Sequence, residues 1–135
     1  MENDVILIDA NALIDFFLGE PEFQEASARL RRKHPDWMTL PLCRYEFGNV
    51  IRTYIRNGML GESKGYKILQ EGITMVRFCP ECDDEAVLDE ANRSRLTFYD
   101  ASYVARARSL TMKLHTRDGE ILRNCPDVAV PISDA

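Results

Sequence analysis

Val5-Ile-Leu-Ile-Asp9-Ala-Asn11 is the stretch on which the reading of this chain turns. Four successive apolar residues, three of them β-branched, have the pattern of a short strand buried on both faces, as in the middle of a parallel sheet. An acid placed directly after such a run has no packing purpose. It sits where the strand leaves the sheet, at the edge where open α/β sheets collect their ligands.

Outward from this run the hydrophobic period alternates between strand-like and helical. Helical patterns fall at about 11–18 and 21–33, the second opened by Pro21 and striped by Phe23, Ala26 and Leu30. A strand is expected at 37–40, then a helix at about 43–57 with Phe47, Val50, Ile51 and Tyr54 at core spacing, ended by Asn57-Gly58. A helix at about 62–71, a strand at 74–78 and helices at 83–94 and 99–110 follow, then a strand at 112–116, a helical turn from Gly119 and a last strand near 128–132. Strands alternating with helices imply right-handed crossovers and a sheet covered on both faces. The expected fold class is α/β: three layers, α/β/α, around a parallel sheet of about five strands.

The 135 residues fit one domain, 1–135, with no repeat, linker or low-complexity tract. At 45% hydrophobic and 29% charged, the chain has the balance of a soluble globular protein. Glu2 and Asp4 stand where a secretory signal would be basic, and charge interrupts every apolar stretch, so neither secretion nor membrane insertion is expected. The net charge of −5 excludes a broad basic face binding nucleic acid by counterion release alone. It does not exclude a nucleic-acid enzyme whose excess acids are gathered round cations.

The four cysteines are too few for a disulfide framework, which points to a reducing, cytoplasmic compartment. Cys79-Pro-Glu-Cys82 is a lone CxxC with no second pair at zinc spacing and no thioredoxin-like context, and its thiols read as buried or incidental.

Four acids converge on the edge that Asp9 marks. Asp118 follows the 112–116 strand. Asp100 opens a helix that runs about 16 Å away from the edge before a strand returns a similar distance, which brings Asp100 back beside Asp118. On the helical wheel Asp100 falls among Tyr103, Val104 and Ala107, opposite a polar side of Ser102, Arg106 and Ser109. Glu46 lies in the first turn of its helix, at the margin of the apolar stripe. Four carboxylates without clustered His or thiolate are hard ligands suited to Mg²⁺ or Mn²⁺, and such ions activate water against a phosphodiester.

Each acid also has a structural reading. Thr97-Phe-Tyr-Asp100 resembles an N-capping box, Asn11 and Thr116 are placed to cap helices, and a lone Glu46 is an ordinary solvated charge. Convergence of the set is what favours chemistry. Arg44 and Arg117 are the first candidates for phosphate contacts, and His115 reads as a hydrogen-bonded strand residue. Phe16, Phe17 and Trp37 read as core or dimer contacts before base platforms.

In Ile6-Leu-Ile-Asp9-Ala-Asn11-Ala-Leu-Ile, Tyr45-Glu46-Phe-Gly-Asn-Val, Tyr99-Asp100-Ala-Ser-Tyr-Val-Ala-Arg-Ala and Leu114-His-Thr116-Arg-Asp118 the chain resembles the PIN domain family of nucleases, including VapC-type toxins. The resemblance covers essentially the whole chain. It implies Asp9, Glu46, Asp100 and Asp118 as catalytic acids holding one or two divalent ions, Mg²⁺ or Mn²⁺, with Asn11 and Thr116 as polar supports. It further implies an RNA substrate, a homodimer and a cognate antitoxin protein. The segment 77–85, with its CxxC and acidic run, matches no motif of the family.

Two other functions compete: a non-catalytic PIN-fold interaction module, and a structure-specific DNA nuclease using the same metal chemistry. An aspartyl-phosphate phosphatase is disfavoured because the expected second acid, two residues after Asp9, is Asn11.

Overall fold

The computed structural model describes residues 5–134. Strand β1 (Val5–Ile8) lies at the centre of a five-stranded, wholly parallel sheet completed by β2 (Asp36–Thr39), β3 (Val76–Phe78), β4 (Leu114–Thr116) and β5 (Ala129–Pro131). The strand order is β3-β2-β1-β4-β5. The chain builds outward from β1 to β3, then crosses back to lay β4 on the other side of β1, so the topological switch point lies between β1 and β4. Leu7 pairs with Leu114 and Ile8 with His115 across that point.

Alternation along β1 divides the core in two. Leu7 points into one half with Leu114, beneath α5 (Asp84–Ser94), α6 (Phe98–Leu110) and α7 (Gly119–Asn124). Ile6 and Ile8 point into the other with Trp37, beneath α1 (Ala10–Leu18), α2 (Pro21–Lys33), α3 (Leu42–Arg56) and α4 (Glu62–Thr74). The result is the expected α/β/α sandwich. Complete burial of Leu7, Ile8, Leu13, Leu40 and Leu114 contributes about 2 kcal/mol each. Trp37 is fully buried, edge-on to Phe16 with the Arg31 guanidinium over its face, and so serves the core rather than a base.

Several boundaries differ from the sequence reading, each for a local reason. The segment 74–78 contributes only Val76–Phe78 to the sheet, because α4 continues through Thr74. Strand β4 starts at Leu114 rather than 112: Thr111 ends α6 in the left-handed region (φ 54°), and residues 112–113 form the connection. The last strand is confined to Ala129–Pro131, with a 3-10 turn from Ile132. Ser102, assigned to the polar side of α6, is buried, since α6 is enclosed between the sheet and α5 and all of Ala101–Ala105 is covered. The close approach of α3 to α4 requires Gly72, where a Cβ would fall 2.4 Å from the Phe47 ring. No helix of the described residues is long and apolar enough to cross a membrane.

Candidate active site

Because every strand runs the same way, the residues following β1, β2, β3 and β4 share one rim of the sheet. Asp9 ends β1 and is itself the N-cap of α1, its Oδ1 accepting the Asn11 backbone N–H at 3.0 Å. The cap is thus Asp9 and not Asn11, which occupies the second position of the helix. Asp118 has the same relation to β4: it caps α7, accepting from the N–H groups of Glu120 and Ile121 at 2.9 and 3.0 Å. Thr116 is therefore no helix cap. Its hydroxyl donates to Asp9 Oδ2 at 2.5 Å and its oxygen accepts from the Asp118 N–H at 3.0 Å, which ties the two acid-bearing loops together across the switch point.

The other two acids come from helices. Glu46 is the fifth residue of α3, which begins at Leu42, and so lies just past the first turn; it accepts a hydrogen bond from the Tyr103 hydroxyl at 2.8 Å. Asp100 is in the first turn of α6, where the Thr97 cap accepts its backbone N–H at 3.1 Å as the capping-box reading expects.

The electrostatics connect the four acids. Burial pushes the Asp9 carboxyl up to about 7; the Thr116 and Asn11 hydrogen bonds oppose this, and the charges of Glu46 and Asp118 add to it. Glu46 is raised by burial against the Tyr103 hydrogen bond, with Asp100 adding to it. Asp100 is raised by burial, then by Asp118, with Thr97 opposing and Glu120 adding. Asp9 feels Glu46 and Asp118, Glu46 feels Asp100, and Asp100 feels Asp118, so the repulsions form a closed ring. Burial plus like charge leaves all three shifted acids less acidic than free carboxyls.

Among the described residues no three of these groups stand close enough to form a ready-made metal cage. Asp9, Glu46 and Asp118 are instead each held by protein donors. The donor set nonetheless fits Mg²⁺ or Mn²⁺, because all four groups are carboxylates and, among the described residues, no cationic side chain hydrogen-bonds to any of them.

The two candidate arginines are deployed differently. Arg117 donates from Nε and Nη2 to the buried Asp15 at 2.6 and 3.0 Å and stacks 4.2 Å above the Phe23 ring, so it fastens α1 and α2 to the β4–α7 loop. Arg44 is exposed over the Tyr45 ring at 5.3 Å, on a face of α3 that lines a groove with Leu69 and Ile73 of α4, with no carboxylate partner among the described residues. Sequence reasoning missed Tyr103 and Asp15. The first was detectable as a hydroxyl-bearing residue on the inward face of α6, three positions after Asp100; the second as an acid inside the apolar helix ANALIDFFL.

His115 is buried, and burial followed by the neighbouring His34 ring lowers its imidazole to about 4. All four cysteines are free; Cys79 is buried, and Cys82 is half-buried in the loop after β3.

A parallel α/β/α domain with Asp9 and Asp118 flanking its switch point defines the class to which this chain belongs. The PIN domain family model matches residues 6–125, and the chain belongs to that family. It is 28% identical over 130 residues to Ribonuclease VapC3 of Pyrobaculum aerophilum, covering 93% of this chain and 98% of that protein. A crystal structure of PAE2754 from Pyrobaculum aerophilum superposes with a TM-score of 0.76 at 26% identity, covering 96% of this chain and 93% of the other. A toxin-antitoxin complex from Klebsiella pneumoniae contains a chain of the same fold, with a TM-score of 0.66 at 22% identity, covering 94% and 97%.

Proposed function

We propose that this chain is a divalent-cation-dependent endoribonuclease, the toxin of a toxin-antitoxin pair. The observation that carries the reading is the tie through Thr116 between the Asp9 and Asp118 loops across the switch point, with Glu46 and Asp100 brought in by α3 and α6. Membership of the PIN family and likeness to a protein named as a ribonuclease support it.

The four carboxylates would hold Mg²⁺ or Mn²⁺, which when bound supplies the Lewis acidity that phosphodiester hydrolysis needs. The protein's part is to fix the ligands. Asn11 and Thr116 orient both oxygens of Asp9, Tyr103 aims Glu46, and Thr116 sets the Asp118 loop relative to Asp9. Arg44, with no carboxylate partner among the described residues, is the arginine available to an RNA phosphate. Arg117 acts through Asp15 to hold the rim in shape. The same reading brings a cytoplasmic location, a homodimer and a cognate antitoxin.

The test is a total-RNA digest with Mg²⁺ or Mn²⁺. Cleavage should disappear in EDTA and in Asp9→Asn and Asp100→Asn, with both variants folded by circular dichroism. Undiminished cleavage in EDTA, or by both variants, refutes the reading.

A further inference from the structure

The segment 77–85, which no family motif explains, runs from the end of β3 into the start of α5 on the rim that carries the acids. Its acidic residues form one wall of a cavity of about 340 Å³. Leu42 and Val87 give the cavity an apolar floor, Phe98 and Tyr99 stand at its mouth, and Glu81 and Asp84 with Ser102 supply the polar lining. Phe98 is 45% and Tyr99 63% exposed, so both rings are open to a stacking partner. Neither Glu81 nor Asp84 meets a hydrogen-bond donor or cation among the described residues, and no Lys or Arg lines the cavity.

The cavity shares α3 and α6 with Glu46 and Asp100, and none of the four acids lines it. Leu42 stands one turn before Glu46 on α3, about 6 Å along the axis, and Tyr99 is next to Asp100 on α6. A strand whose phosphate lay at the acids would have its neighbouring base within reach of this space. We propose that the cavity is a nucleobase pocket selecting guanine beside the scissile phosphate; this rests on the ribonuclease reading and names its specificity.

The chemistry favours a base, and guanine among bases. Carboxylates repel a phosphate, whereas a neutral ring stacks on Tyr99 or Phe98 and presents its edge to the polar wall. Guanine offers two adjacent donors, N1–H and N2–H, which a carboxylate accepts side by side. Uracil turns a single N–H flanked by two carbonyls toward the same wall, and its oxygens would face carboxylate oxygens. Adenine and cytosine each offer one amino group beside an acceptor.

The test compares short single-stranded RNAs that differ only in one base, guanine or uracil, flanking the cut. Wild type should cleave the guanine substrate about tenfold faster, the discrimination expected of one bidentate pair. In the double variant Glu81→Gln/Asp84→Asn the ratio should fall to near one, with thermal melting verifying that the variant folds. A wild-type ratio near one, or a preference that survives the double variant, overturns the proposal. A parallel amide NMR titration with GMP and UMP separates this idea from the one beneath it. If no RNA is cut, yet GMP and not UMP shifts the Glu81, Asp84 and Tyr99 amides, the ribonuclease reading falls and the guanine pocket stands. If neither nucleotide moves those signals, or arginine amide moves them and GMP does not, the pocket is refuted.

Discussion

Asp9→Asn should make the metal-free protein more stable while abolishing its activity. A carboxyl raised from 3.8 to about 7 takes up its proton more readily in the folded state than in the unfolded one. No cost is present below the unfolded value. It accumulates as pH rises from 3.8 to 7 and is complete above that. At about 1.4 kcal/mol per tenfold change in proton affinity, ionised Asp9 costs the fold up to roughly 4 kcal/mol.

Asparagine removes this cost at every pH. It keeps an oxygen for the Asn11 N–H but turns an amide toward the Thr116 hydroxyl, a loss of about 1–2 kcal/mol. The variant should therefore exceed wild type by roughly 2 kcal/mol at pH 8, and the difference should shrink to near zero at pH 5. Urea denaturation in EDTA at several pH values measures it. Added Mn²⁺ should then stabilise wild type and leave Asp9→Asn nearly unmoved. A variant less stable than wild type at pH 8, or a difference independent of pH, would refute the burial argument, and equal stabilisation of both proteins by Mn²⁺ would refute the role assigned to the cation.

Arg117→Ala leaves Asp15 buried without its partner and should cost about 3–5 kcal/mol, with Asp15→Asn added to it recovering much of the loss in urea titrations. Gly72→Ala should cost about 1–3 kcal/mol by thermal melting, and Phe47→Leu in the same chain should make the added methyl nearly neutral. His115, lowered to about 4, contributes stability that is whole above its unfolded value near 6.5 and is lost as pH falls toward 4. His115→Gln should flatten that acid limb, and an unchanged limb would place the titrating group elsewhere.

Much of the rim was legible because parallel sheets leave a simple signature. A β-branched run followed at once by an acid locates Asp9, and the matched lengths of α6 and β4 return Asp100 to Asp118. The hydrogen-bonding partners were less visible. Whether Asn11 or Asp9 caps α1 depends on one residue of backbone geometry, and Thr116 bonds across 107 positions to a strand end it cannot be matched with by spacing. Arg117 looked free because its partner, Asp15, lies 102 positions earlier inside an apolar helix. Strand ends slipped where φ turned positive at Thr111, a conformation for which a threonine gives no sequence signal.

The double duty of the Thr116 hydroxyl bears on how this sequence can vary. One oxygen gives its proton to Asp9 and takes one from the Asp118 backbone, so mutational tolerance at 9 and 116 should be epistatic. Serine alone preserves both bonds. A saturation library scored for folding should admit valine at 116 chiefly in chains whose residue 9 has already become uncharged.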